Sequence, residues 1–193
     1  MIKLTKALVL LAPGFEEIEA FSIVDVLRRC NIKVIMAGLK PNVIEGSHGI
    51  KVISDKYIDD ISVTDFDVVV CPGGSPGFEN LRKDQRVISI VKEAFELNKV
   101  VAAICGAPAV LSDAGILGKT ACTIYPGMEN ELLRGGGIPQ MEDLVVEDGK
   151  IITSKGPATA IAFALKIALK LVDRKVVEDV KKEMLADVGV KFQ

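Results

Sequence analysis

The sequence predicts an α/β protein: a mostly parallel sheet covered on both faces by helices, three layers in all. Three observations carry this. Apolar runs of strand length occur at Lys6–Ala12, Asp67–Cys71 and Val100–Ile104, without the alternation of a half-exposed sheet, as expected of strands buried on both faces. Segments of helical character follow them in alternation. Each run stops at a cluster of small residues: Pro13-Gly14, Pro72-Gly73-Gly74 and Cys105-Gly106-Ala107. With 193 residues, 49% of them hydrophobic, residues 1–193 are expected to form one domain around a single large core.

In chain order, Lys6–Ala12 is the first strand. Its approach through Lys3 superficially mimics an export signal, but the apolar run is too short and leads into Glu16, Glu17 and Glu19. Phe15–Cys30 has helical character, and Ile32–Ala37 is the next strand, closed by Gly38. Pro41, Gly46 and Gly49 mark irregular chain with a short strand at Ile50–Ile53. Asp67–Cys71 follows as the third buried strand. In Asp84–Asn98, Val87, Ile88, Val91, Ala94 and Phe95 recur at helical spacing. Val100–Ile104 is a strand, and Pro108 opens a helix behind it. Lys119–Ile124 is expected to be a strand, Tyr125-Pro126-Gly127 a turn, and Met128–Leu133 a short helix before the glycines at 135–137. Leu144–Thr153 reads as a hairpin about Asp148-Gly149, the one local antiparallel excursion. Gly156-Pro157 opens an apolar helix over Ala158–Val172, and Lys175–Ala186 is a more polar terminal helix.

Composition removes several function classes. With 24 basic and 26 acidic residues the chain has no electrostatic footprint for nucleic acid. No stretch approaches the roughly 20 apolar residues of a membrane span. Cys30, Cys71, Cys105 and Cys122 form no C-x-x-C pair, and His48 is the single histidine, which leaves little for a zinc site. Reduced thiols in the cytoplasm are the expectation. The loop at 72–77 matches neither G-x-G-x-x-G nor the P-loop. A Cys-His-Glu amidotransferase triad needs a histidine in the C-terminal half, and none exists. Gly106 stands where some thiol peptidases carry a histidine next to the nucleophile.

The chemistry concentrates at Cys105. A strand, a sharp small-residue bend and a helix place its thiol at the carboxyl end of the sheet, where open α/β folds bind ligands. The position at a helix N-terminus predicts a lowered thiol pKa. The other three cysteines lack such an elbow and read as core filler. Pro72–Gly77 is either a backbone donor loop beside the thiol or an ordinary strand-to-helix turn. Glu16, Glu17 and Glu19 suit the start of a helix by their charge alone. One of them placed beside Cys105 and partly desolvated would hold a proton and exchange it with the sulfur. Glu19, between Ile18 and Ala20 and in line with Ile23 and Val26, has the most apolar setting.

Taken together, Ala7–Val9, Ala12–Glu19, Val24–Arg29, Asp67–Gly74, Ala102–Cys105 with Pro108, and Thr153–Thr159 resemble the ThiJ/PfpI family, nearest its DJ-one branch of parkinsonism-associated protein deglycases. The resemblance implies a flavodoxin-like sandwich, a homodimer and no cofactor or metal. Cys105 matches the family nucleophile, Glu19 the protonated glutamate beside it, and Gly74 and Gly106 the backbone donors of an oxyanion site. Gly73, His48, Tyr125 and Arg29 are possible pocket residues. The implied activity is that of a cofactor-independent glyoxalase or deglycase, acting on a small reactive aldehyde such as methylglyoxal or on its glycated adducts. A redox sensor or chaperone oxidised at the same cysteine is the alternative. The chain departs from the branch in three places: His48 follows Ser47 where another basic or polar residue is frequent, Tyr125 replaces a common histidine before Pro126, and Lys155 replaces a frequent arginine. These departures bear on substrate preference and on any proton relay beyond the Cys–Glu pair.

Overall fold

The computed structural model describes residues 4–187. Its strands are β1 (Lys6–Leu11), β2 (Lys33–Gly38), β3 (Val43–Glu45), β4 (Lys51–Ile53), β5 (Lys56–Tyr57) and β6 (Val68–Cys71), then β7 (Val100–Ile104), β8 (Ala121–Cys122), β9 (Ile138–Pro139), β10 (Val145–Asp148) and β11 (Ile151–Ser154). The helices are α1 (Glu17–Arg29), α2 (Gly77–Lys83), α3 (Gln85–Glu96), α4 (Pro108–Asp113), α5 (Glu129–Arg134), α6 (Ala160–Leu171) and α7 (Arg174–Glu183). Seven strands form the main sheet in the order β10-β11-β7-β6-β1-β2-β5. All its pairings are parallel except β10 with β11.

The central strands are buried on both faces, and their side chains divide between two cores because successive residues point in opposite directions. Leu8, Leu10, Val69, Val101 and Ala103 join residues of α2, α3, α4 and α5. Ala7, Val9, Leu11, Val70, Ala102 and Ile104 join α1, α6 and α7 on the other side. This is the three-layer flavodoxin-like sandwich. No helix of the described residues is long and apolar enough to cross a membrane.

From β1 the chain winds outward to β2 and β5, then returns to β6 and winds the opposite way through β7 and β11. Strand order therefore reverses between β1 and β6, and the carboxyl ends of β1, β6, β7 and β11 open on one edge of the sheet. Such a switch point is where open α/β sheets leave a crevice. The segments starting at Pro13, Pro72, Cys105 and Lys155 all emerge there.

Three expectations need correction. The β10–β11 hairpin is not the only antiparallel pair, because β3 and β4 also run antiparallel, with Glu45 opposite Lys51. β4 coincides with the strand expected at Ile50–Ile53, whereas β3 is short and mostly exposed, so no hydrophobic pattern marks it or the pairing. The segment Lys119–Ile124 contributes only β8, which pairs with β9 outside the main sheet. Between β6 and α3 the chain forms α2, whose seven residues after Pro76 are too few to show a helical period.

Candidate active site

Cys105 follows directly on β7 with φ of +62°, a left-handed conformation that costs a side-chain-bearing residue energy and is sustained only by its surroundings. Two backbone bonds hold it. The Cys105 N–H donates to the Ser154 carbonyl at 2.9 Å, and the Cys105 carbonyl accepts the Tyr125 N–H at 2.9 Å. The elbow is thereby tied to the end of β11 and to the turn before α5. Helix α4 then starts with Pro108 in its first turn.

Glu19 reaches the same point from the first turn of α1 and is fully buried. Its Oε2 accepts the Gly73 N–H at 2.7 Å, while Oε1 is buried without a partner of ordinary hydrogen-bond geometry. The thiol of Cys105 lies against this carboxyl. Gly73 is pressed against both groups: a Cβ there would stand 2.6 Å from Cys105 Cβ and 2.8 Å from Glu19 Oε2. Its neighbour Gly74 has φ of +94°, and a Cβ there would overlap the backbone of Gly14–Glu16. Only glycines allow this approach of loop to elbow.

Burial pushes Glu19 up to about 7, against the Gly73 N–H and the thiol, which favour its anion; the charge of Glu16 adds to the rise. Burial also pushes Cys105 up to about 12, and an ionised Glu19 adds to that, while the backbone groups of Gly74 and Gly106 favour the thiolate. The expected lowering of the thiol pKa is thus reversed, chiefly by burial and further by any charge on Glu19. The six residues of α4 supply too little dipole to offset desolvation beside a carboxylate. A proton on Glu19 changes the balance. It removes the repulsion, lets the carboxyl donate toward the sulfur, and relieves the buried oxygen that lacks a donor. The two groups titrate as one coupled pair.

The sulfur opens into a cavity of about 360 Å³ with walls from Phe78, Tyr125, Met128 and Pro157, bordered also by Ser75 and Glu16. Gly106 faces Phe78, whose ring would be 2.7 Å from a Cβ placed there. A larger hollow of about 530 Å³ lies between Pro13, Lys40 and the start of α3, but it contains neither a thiol nor a carboxyl with a raised pKa.

The structure brings together Cys105, Glu19, Gly73, Gly74, Gly106 and Tyr125. It places His48 and Arg29 elsewhere. His48 is exposed, and its Nδ1 lies 2.9 Å from Glu17 Oε2 and 3.6 Å from Glu16 Oε2. Glu17 also accepts the His48 N–H at 2.8 Å and the Ile50 N–H at 3.3 Å. Among the described residues, Glu16, Glu17 and His48 are the group whose donor atoms converge closely enough to hold a metal ion. Arg29 sits at the far end of α1, paired with Asp25 at 2.7 Å and Glu183 at 3.2 Å. Sequence reasoning missed the aromatic wall of Phe78, which belongs to the unrecognised α2, and Met128. Pro157 was visible as a helix-opening residue and within the Thr153–Thr159 resemblance, but not as a cavity wall.

Residues 5–170 match the DJ-1/PfpI family. Protein dj-1beta of Drosophila melanogaster is 38% identical over 180 residues, covering 93% of this chain and 96% of that protein. The Parkinson disease protein 7 homolog of Danio rerio is 35% identical over 182 residues, covering 93% and 96%. Among solved structures, Drosophila melanogaster DJ-1beta superposes with a TM-score of 0.90 at 38% identity, covering 94% of this chain and 98% of the other. Oxidized Toxoplasma gondii DJ-1 does so with a TM-score of 0.86 at 34% identity, covering 94% and 98%. With an elbow cysteine, a buried carboxyl beside it and this extent of likeness, the chain belongs to the DJ-1/PfpI family.

Proposed function

We propose that this protein is a cofactor-independent glyoxalase or deglycase that processes methylglyoxal or its early adducts through Cys105. One observation carries the reading: a fully buried Glu19 with its pKa pushed up to about 7 faces a thiol that opens into a cavity. In this scheme protonated Glu19 hydrogen-bonds the Cys105 thiolate, which adds to the aldehyde carbon. A carbon–sulfur bond forms and the carbonyl electron pair moves to oxygen. The N–H groups of Gly74 and Gly106 receive that oxyanion. Glu19 gives its proton to oxygen, making a hemithioacetal, then takes the proton on the former aldehyde carbon and returns it to the neighbouring carbon, while through the enediol the hydroxyl proton passes to the former ketone oxygen. The result is a thioester of lactate, and water cleaves it to lactate and free thiol. Overall one methylglyoxal and one water become one lactate, with no net oxidation.

The expected partner for the chain is a second copy of itself. Ile18, Ile50 and Ile53 support this, being 59%, 50% and 73% exposed around the Glu17–Ile50 contact. The four free cysteines suit a reducing compartment such as the cytoplasm.

Lactate formation by wild type, Cys105→Ala and Glu19→Gln tests the scheme. Turnover by Cys105→Ala at the wild-type rate would sink it. The oxidized relative supports a second reading, in which Cys105 is a redox sensor: two peroxide molecules each deliver one oxygen to the thiolate, giving a sulfinate held by the same donors. Mass measurement after mild peroxide, showing two oxygens on Cys105 without aldehyde turnover, would favour the sensor.

A further inference from the structure

Ser75 stands directly after Gly74 and borders the Cys105 cavity. Its hydroxyl donates to Oε1 of Glu79, in the first turn of α2, at 3.1 Å. The other oxygen of that carboxyl, Oε2, is buried and has no hydrogen-bond partner. None of the ion pairs among the described residues brings a lysine or arginine to Glu79. Helix capping does not account for the contact. The Gly77, Phe78 and Asn80 N–H groups donate to the Gly14, Gly74 and Pro76 carbonyls, and none of them turns to the Glu79 side chain. A buried acceptor oxygen without a donor is costly, so a carboxyl held this way calls for a reason beyond the helix. Its hold on a donor falls wholly on Ser75. With the serine proton committed to Glu79, what Ser75 offers the cavity is the lone pairs of Oγ, an acceptor placed next to the Gly74 donor. The contact lies within one chain, and α2 packs on the sheet face opposite α1, so a second copy seated at Ile18, Ile50 and Ile53 leaves it in place.

We propose that Ser75, oriented by Glu79, is a positioning residue that accepts a hydrogen bond from the water that cleaves the Cys105 thioester. The proposal rests on the glyoxalase reading and assigns a residue to its last step. Once the thioester has formed, Glu19 has returned its proton to carbon and is ionised. One hydrogen of the water points to Ser75 Oγ and the other to Glu19. The water oxygen bonds to the thioester carbon as Glu19 takes that second proton, and the carbonyl pair moves to the oxygen facing the Gly74 and Gly106 N–H groups. The pair then returns and the carbon–sulfur bond breaks. The sulfur leaves as thiolate beside a protonated Glu19, which is the starting state, and lactic acid is released. Ser75 keeps its own proton throughout. A water held by two acceptors aims its lone pair in one direction, and orientation of this kind lowers the barrier to attack.

Hydroxylamine is the probe, because it captures a thioester as lactohydroxamate, whereas a hemithioacetal gives it only an oxime. Wild type, Ser75→Ala, Ser75→Thr and Glu79→Gln are mixed with methylglyoxal and sampled into hydroxylamine during turnover, with lactate followed in parallel. Wild type is expected to yield little lactohydroxamate per enzyme. Ser75→Ala should form lactate about tenfold more slowly, the scale of one lost hydrogen bond, and should carry thioester on most of its Cys105. Glu79→Gln should slow lactate formation several-fold with the same accumulation. Ser75→Thr keeps the hydroxyl and should restore wild-type behaviour. A merely structural role would slow turnover and leave thioester scarce. Ser75→Ala of wild-type melting behaviour that keeps the wild-type rate, or slows without holding thioester, would overturn the proposal. So would a Glu79→Gln protein indistinguishable from wild type. Wild type that forms no lactate would remove the catalytic reading and this proposal with it. Lactate formed by wild type and lost in Cys105→Ala, with no thioester held by Ser75→Ala, would remove the proposal alone.

Discussion

The first turn of α1 carries two buried glutamates that face opposite surroundings. Glu17 looks onto the Ser47–His48 loop, and Glu19 onto the Cys105 elbow. Both are desolvated, yet their proton affinities move apart. For Glu17 burial pushes upward, but the His48 ring, the His48 N–H, its own backbone N–H and the Ile50 N–H outweigh it and hold the carboxyl down at about 2. For Glu19 burial wins, since only the Gly73 N–H and a thiol favour its anion, and the group rises to about 7. Burial alone does not decide which carboxyl keeps a proton. The number and kind of donors decide it. One helical turn thus supplies a permanent anion that anchors a loop and a proton-bearing acid beside a nucleophile.

The sharpest way to break this contrast is to remove the acid. Glu19→Gln keeps the volume but cannot exchange a proton, so methylglyoxal turnover should fall by about 10³-fold, within the range for loss of general acid–base catalysis. A wedge is the next test. Gly73→Ala places a methyl group within 2.6 Å of Cys105 Cβ and 2.8 Å of Glu19 Oε2, so it should separate the pair. A stability loss of about 2 kcal/mol by chemical denaturation is expected, as for overpacking elsewhere, together with a large loss of turnover.

The other side of the turn should behave differently. Glu17→Gln removes the charge that accepts from His48 and Ile50, and should cost about 2 kcal/mol of stability, the scale of hydrogen bonds to a charged group. Turnover should stay within a few-fold of wild type. A collapse of activity with stability unchanged would show that the two glutamates are not separate in role.

Stability against pH distinguishes them by sign. The folded pKa of Glu17 lies below its unfolded value of 4.5, so its contribution is present above 4.5 and is lost as pH falls toward 2. The folded pKa of Glu19 lies above 4.5, so the fold loses stability through this group as pH rises from 4.5 toward 7, and no further beyond. Denaturation midpoints of Glu19→Gln should therefore exceed those of wild type at pH 8 and converge with them at pH 4. The smallest effect belongs to His48→Ala, an exposed substitution expected to leave the denaturation midpoint close to that of wild type.

Much of this contrast was legible in the sequence, and the part that was not has a physical reason. The buried strands and their small-residue stops announced the sheet and its loops, because strands covered on both faces admit little else. Glu19 could be singled out from Glu16 and Glu17 by its apolar stripe with Ile23 and Val26, since residues three and four apart share a helical face. The Glu17–His48 contact could not, because it depends on the loop between β3 and β4 folding back onto α1, a contact between distant residues that no local pattern announces. The direction of the Cys105 pKa was also misjudged. Position at a helix start argues for lowering, whereas burial by the folded chain dominates and the charge of Glu19, distant in sequence, adds to it.

Titration of the glutamate side chains tests the central claim most directly. In protein labelled with carbon-13 at the glutamate carboxyls, the Glu19 resonance can be assigned by its loss in Glu19→Gln and followed by NMR across pH. The account predicts a midpoint near 7 for Glu19, while Glu17, two residues away, stays ionised down to about 2. A Glu19 midpoint at or below the ordinary carboxyl value of 4.5 would mean the buried acid holds no proton at neutral pH, and the pairing of Cys105 with a proton-bearing glutamate would be contradicted.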